Sequence, residues 1–132
     1  MSPLSRDDIL GSDDRRTVTV DVPEWGGGVI VRAMSGTERD SYEASMVTIK
    51  ADGSRKFNLG NLRARLVCLT CVDVNGNRLF REDDIRELGE KSAAALERVF
   101  DAARKLSGLT DDDVEELAEG FGDAPSGDST SA

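Results

Sequence analysis

Read for the alternation of apolar and polar positions, the chain divides into two strands followed by helices. From Thr17 to Val22 the residues alternate strictly, with Val18, Val20 and Val22 on one side and Thr17, Thr19 and Asp21 on the other. Val29 to Met34 alternates again, and Pro23–Gly28, a loop rich in glycine, joins the two runs. This predicts an antiparallel β-hairpin over 17–34 with one face ready to pack on helices. Ahead of it, Ser5 caps a short helical turn that Gly11 stops, so residues 1–16 read as an arm.

After the hairpin the period lengthens. Ser35 and Glu38 form a capping box that opens a helix over 36–50, with Tyr42, Met46 and Ile49 as its inward stripe. Residues 51–56 follow as a polar loop. Leu59, Leu62, Leu66 and Leu69 then recur at helical spacing, predicting a central helix over 58–72 with Arg63 and Arg65 left in water. Asn75-Gly76 suits a tight type I′ reversal. Acidic residues open a short helix over 82–88, where carboxylates complement the positive end of the helix dipole. The clearest amphipathic helix spans 92–107, with Leu96, Val99, Phe100, Ala103 and Leu106 along one side and Gly108 as its stop. A last helix is expected over 110–119 behind a Thr110–Asp113 capping box. The Gly-, Ser- and Asp-rich residues 120–132 read as a disordered tail. The expected fold is therefore α+β and predominantly helical: an N-terminal antiparallel β-hairpin packed on a bundle of about four to five helices, with 17–119 as one globular domain.

A length of 132 residues suffices for one core without metals or disulfides. No run is apolar enough to suggest a membrane span or a signal peptide, so a cytoplasmic protein with reduced thiols is expected. Charge changes the picture more. Residues 1–80 balance 11 Lys and Arg against 11 Asp and Glu, while residues 81–132 carry 6 against 15 and hold the whole net charge of −9. Such a balance disfavours nucleic acid as a partner. It suits either plain solubility or the binding of basic or amphipathic polypeptides.

Candidate chemistry is sparse. With no histidine, Ser–His and Cys–His catalysis are excluded. Cys68 and Cys71 form a C-x-x-C, but it lies inside an apolar helix with no second ligand pair, so buried structural thiols are expected rather than a redox or zinc site. Asp73–Asn77 begins like a calcium loop, yet Arg78 stands where the loop glycine belongs. Gly26–Gly28 lacks the Gly-Lys-Ser/Thr of a phosphate loop. No catalytic residue, cofactor or metal is therefore expected. The residues left for binding a partner are Trp25 and Tyr42, as aromatic contacts, and Val99, Phe100 and Leu106 on the amphipathic helix. Four of these have a plainer reading: Trp25 as a lid on the core, the last three as core.

SRDDIL, VDVPEWGGGVIVRAMSGTERDSYEAS, NLRARLVCLTCVDVNGNRLF and LGEKSAAALERVFDAARKLSGLTDDDVEEL occur in that order. Together, over Leu4 to Leu117, they resemble the tail assembly chaperones of long-tailed bacteriophages. The resemblance implies a small acidic protein made in the infected cell, located in the host cytoplasm and absent from the mature virion. It implies that the protein coats the tape measure protein, keeps it soluble and recruits tail tube subunits. It also implies that a longer, frameshifted form exists for many members. No family motif carries over as a set of binding residues, and self-association is open. A virion structural part, such as a head–tail connector or completion protein, is the alternative from another class.

Overall fold

The structure, a computed structural model, describes residues 2–109. The expected helix over 110–119 and the expected tail over 120–132 lie outside the described residues. Five helices and two small antiparallel sheets are present among those described: α1 (Arg6–Leu10), β1 (Thr17–Val22), β2 (Gly27–Arg32), α2 (Gly36–Ser45), β3 (Val47–Ile49), β4 (Arg55–Phe57), α3 (Leu62–Thr70), β5 (Cys71–Val72), α4 (Ile85–Gly89) and α5 (Ala93–Leu106).

β1 and β2 pair in the register Val18↔Val31 and Val20↔Val29, and β5 extends the sheet by pairing Ile30↔Val72 and Val31↔Cys71. Burial along β1 is graded. Val22 is fully buried, Val20 half-buried and Val18 exposed, so the strand runs out past its helix cover. Gly27 and Gly28, expected in the loop, belong to β2. Gly28 suits that place because a Cβ there would come 2.9 Å from Thr19 Cγ2. The loop shrinks to one 3₁₀ turn, Pro23–Trp25.

α5 packs against β1, β2 and α3, and α3 also packs on α4, so the core lies between sheet and helices. Val22, Val31, Leu66, Val67, Cys71, Val99 and Ala103 are sealed within it. Ser35 and Glu38 do form a reciprocal capping box, with Glu38 N–H donating to Ser35 Oγ and Ser35 N–H to Glu38 Oε1. Ser5 and Asp8 form a second one at α1.

Three sequence expectations need correction. The helix expected over 36–50 ends at Ser45, and the chain continues as the hairpin β3–β4, paired Val47↔Phe57 and Ile49↔Arg55. Ile49, expected on the inward stripe, is 71% exposed. The helix expected over 58–72 is shorter at both ends, starting at Leu62 and giving way to strand at Cys71, where β2 offers hydrogen-bonding partners. The Asn75-Gly76 turn is not type I′. Gly76 alone takes a positive φ, Gly76 N–H donates to the Asp73 carbonyl, and the Asp73 carboxylate accepts from the N–H groups of Asn75 and Asn77.

Arg65, expected in water, needs correction too. It is 7% exposed, and its guanidinium donates to main-chain carbonyls of Ser45, Asn58 and Gly60 and to Ser45 Oγ. One planar fork with five donors thereby joins the end of α2 to the turn that precedes α3.

Candidate protein-binding grooves

The five residues expected to meet a partner do not form one surface. Tyr42 is 1% exposed, with its hydroxyl donating to the Leu62 carbonyl at 3.3 Å; Val99 is 0% exposed and Phe100 6%. All three are packed in the core and have no surface to give, because α2 and α5 turn their apolar stripes inward. Trp25 and Leu106 are half-buried against the same core. Trp25 is held there by its neighbour. Glu24 accepts two hydrogen bonds from Arg98 of α5, at 2.7 and 3.1 Å, which latches the hairpin tip to the helix. The Arg98 bonds hold the Glu24 carboxyl down at about 2.

Grooves open on the surface of the described residues instead. The first, of about 470 Å³, lies where the start of α3 meets the end of α4 and the start of α5. Leu59, Leu62, Ala93 and Leu96 line it, with Arg63, Lys91 and Glu97 among its polar walls. Arg63 donates to Glu97 at 2.5 Å and lies 5.7 Å above the Phe100 ring, so Phe100 supports the groove from beneath. Gly89 closes α4 against Asn61, whose side chain occupies the space a Cβ would need. Leu59 is 41% exposed here; its place on the leucine stripe suggested burial, and the late start of α3, at Leu62, releases it. The second groove, of about 430 Å³, runs between β1 and the last turns of α5.

Neither cysteine is set up for chemistry. Cys71 is sealed in the sheet, where burial first, and then the neighbouring Cys68, pushes its thiol up to about 12. Burial also raises Cys68, whose Sγ lies 3.3 Å from the Arg81 carbonyl. Among the described residues no three His, Cys, Asp or Glu side chains gather as a metal site, and no helix is long and apolar enough to cross a membrane.

Apolar grooves walled by helices have the shape that takes the apolar face of an amphipathic helix. The phage tail assembly chaperone family model matches residues 12–120, and the chain belongs to that family. Among solved structures it is similar to the bacteriophage HK97 tail assembly chaperone, with a TM-score of 0.52 and 22% sequence identity over 70% of this chain and 85% of that one. That likeness shows the fold. No curated protein matches the chain.

Proposed function

We propose that this protein holds the tape measure protein of its phage in soluble form during tail assembly and helps bring tail tube subunits to it, without catalysis. A helix of that partner lies in the groove between α3, α4 and α5. The observation that carries this reading is the groove itself, on a chain of the chaperone family: an apolar bed of Leu59, Leu62, Ala93 and Leu96 with charged walls of both signs. A floor of this kind takes the apolar stripe of an amphipathic helix, and Arg63, Lys91 and Glu97 fix its register. Acting before the tail is complete, such a protein belongs in the host cytoplasm and not in the finished particle.

The test is co-expression with the phage's tape measure protein. The wild type should keep that partner soluble. The double variant Leu59→Asp, Ala93→Asp should lose this while keeping its own Tm, since both positions are exposed. A tape measure protein that is equally insoluble with and without this chain overturns the proposal. Stoichiometric amounts of the chain in purified virions would instead support a structural part of the particle.

A further inference from the structure

The chain leaves α5 through a built turn. Gly108 takes φ 77, its N–H donates to the Lys105 carbonyl, and Leu109 N–H donates to the Arg104 carbonyl, which is a Schellman closure. Leu109 is 2% exposed, and its own carbonyl lies 3.5 Å from Arg104 Nη1. Residue 110 therefore starts beside Arg104. Arg104 follows Glu97 by two helical turns, so the two share a face of α5 and stand roughly 10 Å apart along its axis. Ala93 and Glu97 on that face are walls of the groove between α3, α4 and α5. The chain beyond Leu109 is delivered to the helix face that ends in this groove.

The sequence that follows matches what the groove offers. Residues 110–119 carry Asp111, Asp112, Asp113, Glu115, Glu116 and Glu119 and no Lys or Arg. Residues 1–109 hold 17 basic and 18 acidic groups, so nearly all of the net charge of −9 belongs to residues 110–132. Val114, Leu117 and Ala118 recur at helical spacing, and Thr110 with Asp113 suits a helix start. In the groove Arg63 is bonded to Glu97, which leaves Lys91 as the uncompensated charge beside Leu59, Leu62, Ala93 and Leu96. Such a bed takes the apolar side chains of one helix face, and Lys91 favours acids next to them. A tether of a few residues also holds the segment near the groove at roughly millimolar effective concentration.

We propose that residues 110–119 dock as a helix in the α3–α4–α5 groove of their own molecule. Val114 and Leu117 lie on the apolar bed, and the neighbouring acids face Lys91. The segment closes the groove in the free protein, and an incoming partner helix takes its place. The docking stands on the groove and the segment alone; the competition rests on the reading of this groove as the partner site.

Hydrogen exchange of the full-length chain, without any partner, tests the docking. A ten-residue helix does not persist in water by itself, so protection of the 112–119 amides by about tenfold or more is expected only from a docked segment. Val114→Asp, Leu117→Asp should abolish that protection, and Leu59→Asp, Ala93→Asp should abolish it from the groove side. Lys91→Glu should lower it, and added salt should lower it in the wild type but not in that variant. A spin label at Gly120→Cys should broaden the amide signals of Leu59, Lys91 and Ala93, with the buried Cys68 and Cys71 left unlabelled. Absent protection overturns the proposal, as does protection that either double variant leaves intact. Broadening that appears only between copies, with the label on one and the isotope on the other, overturns it too. The variant Val114→Asp, Leu117→Asp should also keep the tape measure protein soluble at a lower ratio of chaperone to partner. No such gain, with docking intact by exchange, would refute the competition and leave the docking standing, so the two readings fail separately.

Discussion

The two β-hairpins of this molecule are built from similar residues and meet opposite fates. β1–β2 gains a third strand from β5 and a cover from α5, and Val22 and Val31 are completely buried. β3–β4 is a two-stranded sheet of three residues a side, held at its tip by Asp52 Oδ1 accepting from Ser54 N–H and by Gly53 at φ 87. Ile49 on it is 71% exposed. A lone two-stranded hairpin is marginal in water, so β3–β4 persists because its ends are tied down. Asn58 N–H donates to the Met46 carbonyl at its base, and Arg65 holds Ser45 and Asn58 beside it. A β-branched residue is thus evidence of core only where another layer lies over it.

The largest effect should come from the first hairpin. Val31→Asp puts a carboxylate with no partner at a fully enclosed position between β1, β5 and α5. A loss of about 4 kcal/mol or more is expected, enough to leave much of a marginally stable domain unfolded. Urea denaturation followed by circular dichroism measures it, and a loss under about 1 kcal/mol would show that the sheet is not the packed region.

Arg65→Ala comes next. It strips donors from the carbonyls of Ser45, Asn58 and Gly60 together, at a cost of about 3 kcal/mol. Arg65→Lys should recover only part of this, since an ammonium cannot span acceptors on both sides of a planar fork. If Lys restores full stability, charge rather than geometry ties the second hairpin down.

Alkali should act on the first hairpin's sheet through Cys71. Burial raises its thiol from 9.0 to about 12, so the fold favours the neutral form. The resulting stability is complete below pH 9.0 and is lost as pH rises towards about 12. Full ionisation costs about 4 kcal/mol at 1.36 kcal/mol per unit. The urea midpoint should fall between pH 9.0 and about 12, and Cys71→Ala should flatten that fall. Part of the slope should survive the substitution, because burial raises the Tyr42 hydroxyl as well.

The difference between the hairpins also marks how far the sequence could be read. Strict alternation in Thr17–Val22, the Ser35–Glu38 box and the Leu96, Val99, Phe100, Ala103 stripe are local signals, and each appears where its pattern places it. Ile49 sits at helical spacing from Tyr42 and Met46, which made a strand there invisible. Arg65 reads as a solvated charge until Ser45, 20 positions away, is folded against it. The Glu24–Arg98 latch joins residues 74 apart and leaves no trace in periodicity. The groove at Leu59 was hidden for the same reason. Only the late start of α3, at Leu62, turns a stripe leucine out to solvent.

The smallest effect belongs to the tip of the second hairpin, and it is the sharpest check on the comparison. Ile49→Asp makes the same kind of change as Val31→Asp, an apolar β-branched residue to a carboxylate, in the same kind of element. The side chain is already mostly in water, so little apolar area is lost, and the new charge stays hydrated. It also faces Arg55 across the strands, in register, which offers a weak favourable pair. A change within about 0.5 kcal/mol of zero is expected by urea denaturation. A loss approaching that of Val31→Asp would mean that Ile49 has a partner layer in solution, such as another molecule covering β3–β4, and sedimentation of the same variant would reveal it.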